Sequence, residues 1–303
     1  MIRSKILSIL AGLALIAIIA SSCGGNDTAS PPPTSNNPVT TTTSSTTNPP
    51  TTTPPPTTPA PDVLLKLINT ASAGMNTFEG SLSTNMSMNL FGMDMKIDMT
   101  GTMAVDKPGK KLFTVITGSS SGFGETVAMN EQMYLINDTM YIKGEVQDSG
   151  MDPNTWYKQV LPATDLSAMW TSQDIGSQIQ ILLDSAALQI VGTESIGGVQ
   201  CYKLKINPNM DKFMSYLGAS GSDLADMGIA NAAQAFKQLD VTIWVSTASY
   251  LPAKMDMALG LNVDSQGQTM TITMVLSQTF NKVNQPVNIT LPTAAQNAVT
   301  LPA

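Results

Sequence analysis

Apolar and polar residues alternate almost without error from Phe78 to Met103. Phe78, Leu82, Met86 and Met88 take one parity, and Glu79, Ser81, Ser83, Asn85, Ser87 and Asn89 take the other. After Leu90-Phe91-Gly92 the pattern resumes, with Met93, Met95, Ile97, Met99 and Met103 set against Asp94, Lys96, Asp98, Thr100 and Thr102. A period of two predicts a pair of half-buried strands joined by a turn. Further strands are expected in KKLFTVIT (Lys110 to Thr117), ETVAMNEQMYLINDTMYIKG, TWYKQV and LQIVGTESIGGVQCYKLKINP. LDVTIWVS, LPAKMDMALGLNV and TMTITMVLSQTF complete the set. Asn137-Asp138 and Gly197-Gly198 read as tight hairpin turns.

The period changes in three places. In PDVLLKLINTASAGM, Leu64, Leu65 and Ile68 fall near helical spacing, with Asp62 as cap and Gly74 as terminator. Asp165 to Ala187 carries Leu166, Met169 and Trp170, then Ile175, Ile179, Leu182 and Leu183 at helical offsets. Asn209 to Leu239 reads as helical again, interrupted by GASGSD. The tail NQPVNITLP is extended. This order predicts an α+β fold, a curved antiparallel sheet with its helices gathered on one face.

Composition changes the picture at the N-terminus. Arg3 and Lys5 precede an apolar run from Ile6 to Ile19, and Ala20-Ser21-Ser22-Cys23 follows. This resembles a bacterial lipoprotein signal in residues 1–22, with Cys23 as the lipidated residue and Ala20 where the lipobox usually has Leu. An ordinary secretory signal or an uncleaved anchor is the alternative. Residues 23–61 are rich in Thr and Pro and have nothing to bury, so they read as a disordered tether. At roughly 3 Å per residue it would reach on the order of 100 Å. The folded domain is expected over residues 62–303.

Charge excludes one class of partner. Charged residues make up 12% of the chain, the formal net charge is −7 and His is absent. Without clustered Lys and Arg, nucleic acid is not an expected partner. Catalytic machinery is also missing. GSSSG (Gly118 to Gly122) fits the nucleophile-elbow string around Ser120, but that elbow needs a His base and a strand-to-helix turn, and the stretch reads as a Ser/Gly loop. Glu79, Glu125, Glu131, Glu145 and Glu194 are scattered singly and read as solvated faces. No cofactor is implied, no residue is expected to be catalytic, and no zinc or hard-cation cluster is present.

Methionine is the distinctive choice: 20 Met against 7 Phe and 3 Trp. Met86 with Met88, Met93 with Met95, and Met255 with Met257 place thioether pairs about 7 Å apart on one side of a strand. Soft sulfur suits Cu(I), so a Met-based copper carrier is one reading. The other readings are a loosely specified core and a face that adapts to a variable apolar ligand. Cys201, on the parity of Lys203 and Lys205, is expected to be an unreactive strand residue. With Cys23 lipidated it would have no disulfide partner.

An N-terminal helix running into NTFEGSLS, the TMYIKG and WYKQV strands, the IGGVQCYKLKI hairpin and VTIWVSTASYLPAKMDMAL together resemble the LolA-like and LppX/LprG-like envelope lipoproteins. The resemblance spans most of Asp62 to Pro292. It implies an open half-barrel of antiparallel strands whose concave face is covered by helices, with acyl chains held in the cavity between. On that reading the protein is a lipid-anchored extracytoplasmic binding protein, possessing a membrane anchor and a hydrophobic ligand but no catalytic residue. Its cavity wall would be Phe78, Leu82, Met86, Met88, Met95, Ile97 and Met99, and its lid Trp170, Ile179, Leu182 and Leu183. The alternative is a structural or partner-binding surface module with a filled interior.

Overall fold

The computed structural model describes residues 58–90, 92–122, 124–144, 151–172, 179, 182–183, 187–208, 236–265 and 268–301. The signal, Cys23 and most of the tether lie outside these residues, as do Ile175 and most of the helical expectation for 209–239.

Helix α1 spans Pro61–Ala73 and opens with a proline, whose missing N–H costs nothing in the first turn. Leu64, Ile68 and Ser72 recur every fourth residue and form its buried face. Gly74 ends the helix as expected. Ala60 rather than Asp62 is the N-cap. Asp62 sits in the first turn, where a carboxylate favours the helix dipole.

Among the described residues twelve strands follow: β1 (Thr77–Leu90), β2 (Met93–Asp106), β3 (Lys111–Gly122), β4 (Glu125–Ile136), β5 (Thr139–Gly144) and β6 (Tyr157–Val160) precede helix α2 (Ala163–Ser172). After it come β7 (Ala187–Ile196), β8 (Val199–Asn207), β9 (Phe236–Ser246), β10 (Pro252–Ser265) and β11 (Gln268–Asn281). A short helix α3 (Thr293–Gln296) and β12 (Val299–Thr300) close the chain. They form one sheet in the order β12-β6-β5-β4-β3-β2-β1-β11-β10-β9-β8-β7. Its two margins, β12 and β7, do not meet, so the sheet is open. Every pairing is antiparallel except β12 with β6. The central seam joins β1 to β11, from Glu79 opposite Asn281 to Asn89 opposite Thr271. The first and the last long strands thus close the two halves of the chain on each other. The architecture is the expected α+β class: an open antiparallel sheet that, among the described residues, carries few helices.

The predicted turns form, with Asn137 at φ 59° and Gly197 and Gly198 at φ 57° and 84°. Two expectations need correction. GSSSG is the last part of β3, not a loop, so no strand-to-helix elbow presents Ser120. Phe236 to Leu239 belong to β9 rather than to a helix, because Gln238 to Leu239 pair with β10. The C-terminal tail does more than run extended. Val287, Ile289, Leu291, Ala295 and Ala298 pack over Ala104, Phe113, Tyr134 and Trp156. The rings of Phe113 and Tyr134 lie 4.6 Å apart, and those of Tyr134 and Trp156 lie 5.8 Å apart. This strap covers the outer face of the β2–β6 half, a use of the tail that local pattern does not reveal.

Three glycines lie on one diagonal of the sheet. Pairings place Gly80, Gly101 and Gly118 on one face of β1, β2 and β3, each one inward-facing position further along than the last. A Cβ on Gly80 would lie 2.7 Å from the Thr279 carbonyl oxygen, and one on Gly101 would lie 2.7 Å from that of Val115. On Gly118 it would collide with the Asp98 carbonyl oxygen. Side chains are excluded along this diagonal because neighbouring backbone approaches too closely, as at a tightly coiled corner.

Candidate functional site

The alternation divides the sheet into an outer face and an inner face, and the inner face is mostly apolar. It carries two clusters. The first gathers Phe78, Leu82, Met103, Val105, Leu112, Leu135, Leu204, Ile206, Val241, Ile243 and Leu276 with Leu64 and Ile68 of α1. Ile179, Leu182 and Leu183, which are helical, belong to it, and Trp170 of α2 packs against it half-buried. The second cluster lies at the other end of the same strands: Met86, Met88, Met95, Ile97 and Met99 with Leu259, Leu261, Ile272 and Met274. The sequence-derived wall residues therefore divide between the clusters. Phe78 and Leu82 share theirs with the lid residues, whereas the methionines share theirs with β10 and β11.

The methionine choice has a local cause in β3. Its inward positions there are Gly118, Ser120 and Gly122. Met99 stands opposite Gly118 and Ile97 opposite Ser120. A Cβ on Gly122 would lie 2.9 Å from Met95 Cγ. Small residues leave room above the backbone, and long unbranched thioether chains spread into it. Branched Val or Ile would not reach so far. All of these side chains are buried, Met86 to 2%, Met88 to 3% and Met95 to 4% exposure.

Polar side chains interrupt the inner face at its middle. Leu276, Thr84, Met99, Gly118 and Met129 form one cross-strand row, and Gln278, Leu82, Gly101, Ile116 and Glu131 form the next. Thr84 is wholly buried, and its Oγ1 has no hydrogen-bond partner. Gln278 is 5% exposed, and its Nε2 meets Met103 Sδ at 3.6 Å. Glu131, expected on a solvated face, instead stands inward between Met129 and Met133. Burial pushes its carboxyl pKa above the ordinary 4.5. The parity of ETVAMNEQMYLI already placed Glu131 with Met129 and Met133, and that of SLSTNMSM placed Thr84 with Leu82 and Met86. The signal was a polar residue at an apolar beat.

On the outer face, Trp244 is 4% exposed beneath two lysines, with Lys203 Nζ 5.0 Å and Lys254 Nζ 4.6 Å from its ring. Its Nε1 donates to Glu194 Oε2 at 2.9 Å, and Lys203 donates to the same oxygen at 3.1 Å. These bonds hold the Glu194 carboxyl below its ordinary range, the Trp244 bond contributing most. The group ties β7, β8, β9 and β10 together. Beside it, Asp240, Thr242, Asp256, Ala258, Val275 and Ser277 line a shallow depression of about 230 Å³. Cys201 is buried against Trp244 and Ala253, and its Sγ donates to the Val199 carbonyl at 3.3 Å. Burial raises its thiol pKa, the opposite of what a nucleophile needs. Among the described residues no three His, Cys, Asp or Glu converge on a point. No described helix is long and apolar enough to cross a membrane.

The chain belongs to DUF6612, a family of unknown function whose pattern matches residues 60–300. No curated protein matches it. Among solved structures it is similar to LprF from Mycobacterium bovis, at 15% identity over 77% of this chain and 98% of that one, with a TM-score of 0.43. It is similar to the lipoprotein LppX of Mycobacterium tuberculosis at 17% identity over 76% of this chain and 100% of that one, TM-score 0.35. A LolA superfamily protein from Nitrosomonas europaea matches at 9% identity over 78% of this chain and 96% of that one, TM-score 0.22.

Proposed function

We propose that this protein is an extracytoplasmic binding protein, anchored to a membrane through lipidated Cys23 and held away from it by the Thr/Pro tether. Between the inner face and its helices it takes acyl chains or another hydrophobic ligand. The observation that carries this reading is the methionine-built half of the inner face. Met86, Met88, Met95, Met99 and Met274 form one continuous apolar wall. Thioether chains repack at little cost around guests of different shape. Binding would come from apolar area removed from water, about 25 cal/mol per Å² before the costs of association. The reaction chemistry is empty on this reading: no bond is made or broken.

The near-complete burial of the same methionines favours a second reading, a tethered surface module whose interior is filled by its own side chains. Extraction of the purified protein with organic solvent, followed by mass spectrometry, separates the two. The binding reading expects a stoichiometric lipid in the extract, and uptake that falls in Met88→Asp while the strand circular dichroism persists. An extract without lipid, together with unaltered uptake in that variant, leaves only the filled module.

A further inference from the structure

Methionine is not spread evenly over the inner face. Among the described residues, five of the nine buried members of the second cluster are Met, against three of the twenty-one in the first. A core filled loosely for its own sake would show the same preference in both clusters. The small residues of β3 account for Met99, which stands opposite Gly118, and for Met95, which lies against Gly122. They do not account for Met86 and Met88 on β1 or for Met270 and Met274 on β11, because neither strand adjoins β3.

The strand registers gather these thioethers around Met88. Met95 stands directly opposite it on β2, which makes Met93 its diagonal neighbour on that strand. Ile272 stands opposite it on β11, which makes Met270 and Met274 its diagonal neighbours there. Met86 precedes it by two positions on β1 itself. Directly opposite residues have their Cβ atoms about 4.5–5.5 Å apart, and diagonal ones stay within reach of long side chains. Met88 and Met95 are packed in one cluster. Met93 differs from them in being 39% exposed. It stands at the end of the β1–β2 hairpin, next to the turn at Gly92 with φ 81°. A sulfur that water reaches thus lies beside sulfurs that it does not.

We propose that Met88, Met93 and Met95 form a soft-metal site that binds one Cu(I), or its analogue Ag(I), at the rim of the inner face. The donors dictate the ion. Thioethers are soft, neutral ligands that suit Cu(I) and not the harder divalent ions, and the chain has no His to compete for it. Three sulfurs each about 2.3 Å from one ion stand about 4 Å from one another, which is the spacing of side chains already in contact. The site therefore needs no preformed cavity. Flexible side chains close around the ion, and Met93 supplies the entry from water. Charged neighbours keep their distance. Asp94, Lys96 and Asp98 alternate to the outer face, and the inward carboxyls Glu125 and Glu131 lie on β4, beyond β3. Thiols and imidazoles must lose a proton to bind metal, whereas a thioether has none to lose, so binding holds as pH falls. Cys201 packs with Trp244 on the outer face and takes no part.

The test titrates silver nitrate, in chloride-free buffer, into the purified full chain carrying Cys201→Ala, and follows binding by calorimetry. One Ag(I) per chain is expected, with an affinity that changes by about twofold or less between pH 7 and pH 5. Met88→Leu keeps volume and apolar character but removes the central sulfur, and its affinity should fall by about tenfold or more. Met93→Leu should fall likewise. Its position is exposed, so the strand circular dichroism should not change, and a folding defect in the Met88 variant cannot mask the outcome. Met133→Leu, against the first cluster, should bind as the parent does. X-ray absorption of the Cu(I)-loaded chain should show a first shell of sulfur alone. Heats of dilution only, nitrogen or oxygen ligands in that shell, or full affinity in both Met88→Leu and Met93→Leu would each overturn the site.

Discussion

Thr84→Val offers the sharpest test of how the interior is built. The wild-type side chain is wholly buried, and its hydroxyl has no partner. Valine keeps the branch at Cβ and the strand preference and exchanges the orphan hydroxyl for a methyl of similar shape. Removing an unsatisfied buried hydroxyl recovers about 1–3 kcal/mol. For a domain of this size each kcal/mol shifts the melting temperature by roughly 2–4 °C, so Tm should rise by about 2–12 °C. Scanning calorimetry of the ligand-free protein measures it. The control is Thr102→Val, an exposed outer-face position on β2, expected to stay within about 0.5 kcal/mol of wild type. A Tm for Thr84→Val that is unchanged or lower would refute the reasoning: the hydroxyl would then be satisfied inside the fold.

Glu131→Gln should stabilise the protein at neutral pH. The folded carboxyl titrates above its ordinary 4.5 because burial disfavours the charged form. Folding is then penalised once pH exceeds the unfolded pKa, and the penalty is complete above the folded one. The advantage of Gln should shrink as pH falls toward 4, measured by urea melts across that range, and a pH-independent difference would contradict the assignment. Trp244→Phe removes the first donor to Glu194. That carboxyl should titrate below 4.5 in the wild type and move up toward it in the variant by NMR, and an unmoved midpoint would refute the indole's role. Its contribution to stability has the opposite sign to that of Glu131, present above the unfolded pKa and lost as pH falls through the depressed folded one. Gly101→Ala forces a Cβ to within 2.7 Å of the Val115 carbonyl oxygen, so β2 and β3 must part locally. It should cost about 1–3 kcal/mol in denaturant melts, whereas Gly124→Ala, at a turn with open space but positive φ, tests backbone strain alone.

The sequence by itself determined the local grammar of this protein. A period of two selects which side chains face inward, and that is settled within a few residues by the pleat. Hence Phe78, Leu82, Met86, Met88, Met95, Ile97 and Met99 were assigned to one face correctly, as were the turns at Asn137 and Gly197. The helix from Pro61 followed from the same kind of evidence. Parity would also have shown Thr84, Gln278 and Glu131 as polar residues on the apolar beat, but only their neighbours give that meaning. Those neighbours come from registers between strands far apart in the chain, such as Thr84 opposite Leu276 on β11, and no local period encodes such a register. Tertiary structure alone separated the inner face into two clusters and placed the helical Ile179, Leu182 and Leu183 with Phe78 rather than with the methionines. It aligned Gly80, Gly101 and Gly118 on one diagonal where neighbouring backbone leaves no room for a side chain, and it laid the C-terminal strap over Tyr134 and Trp156. Local chemistry chose the face each residue presents; contact between distant segments chose what that residue meets there.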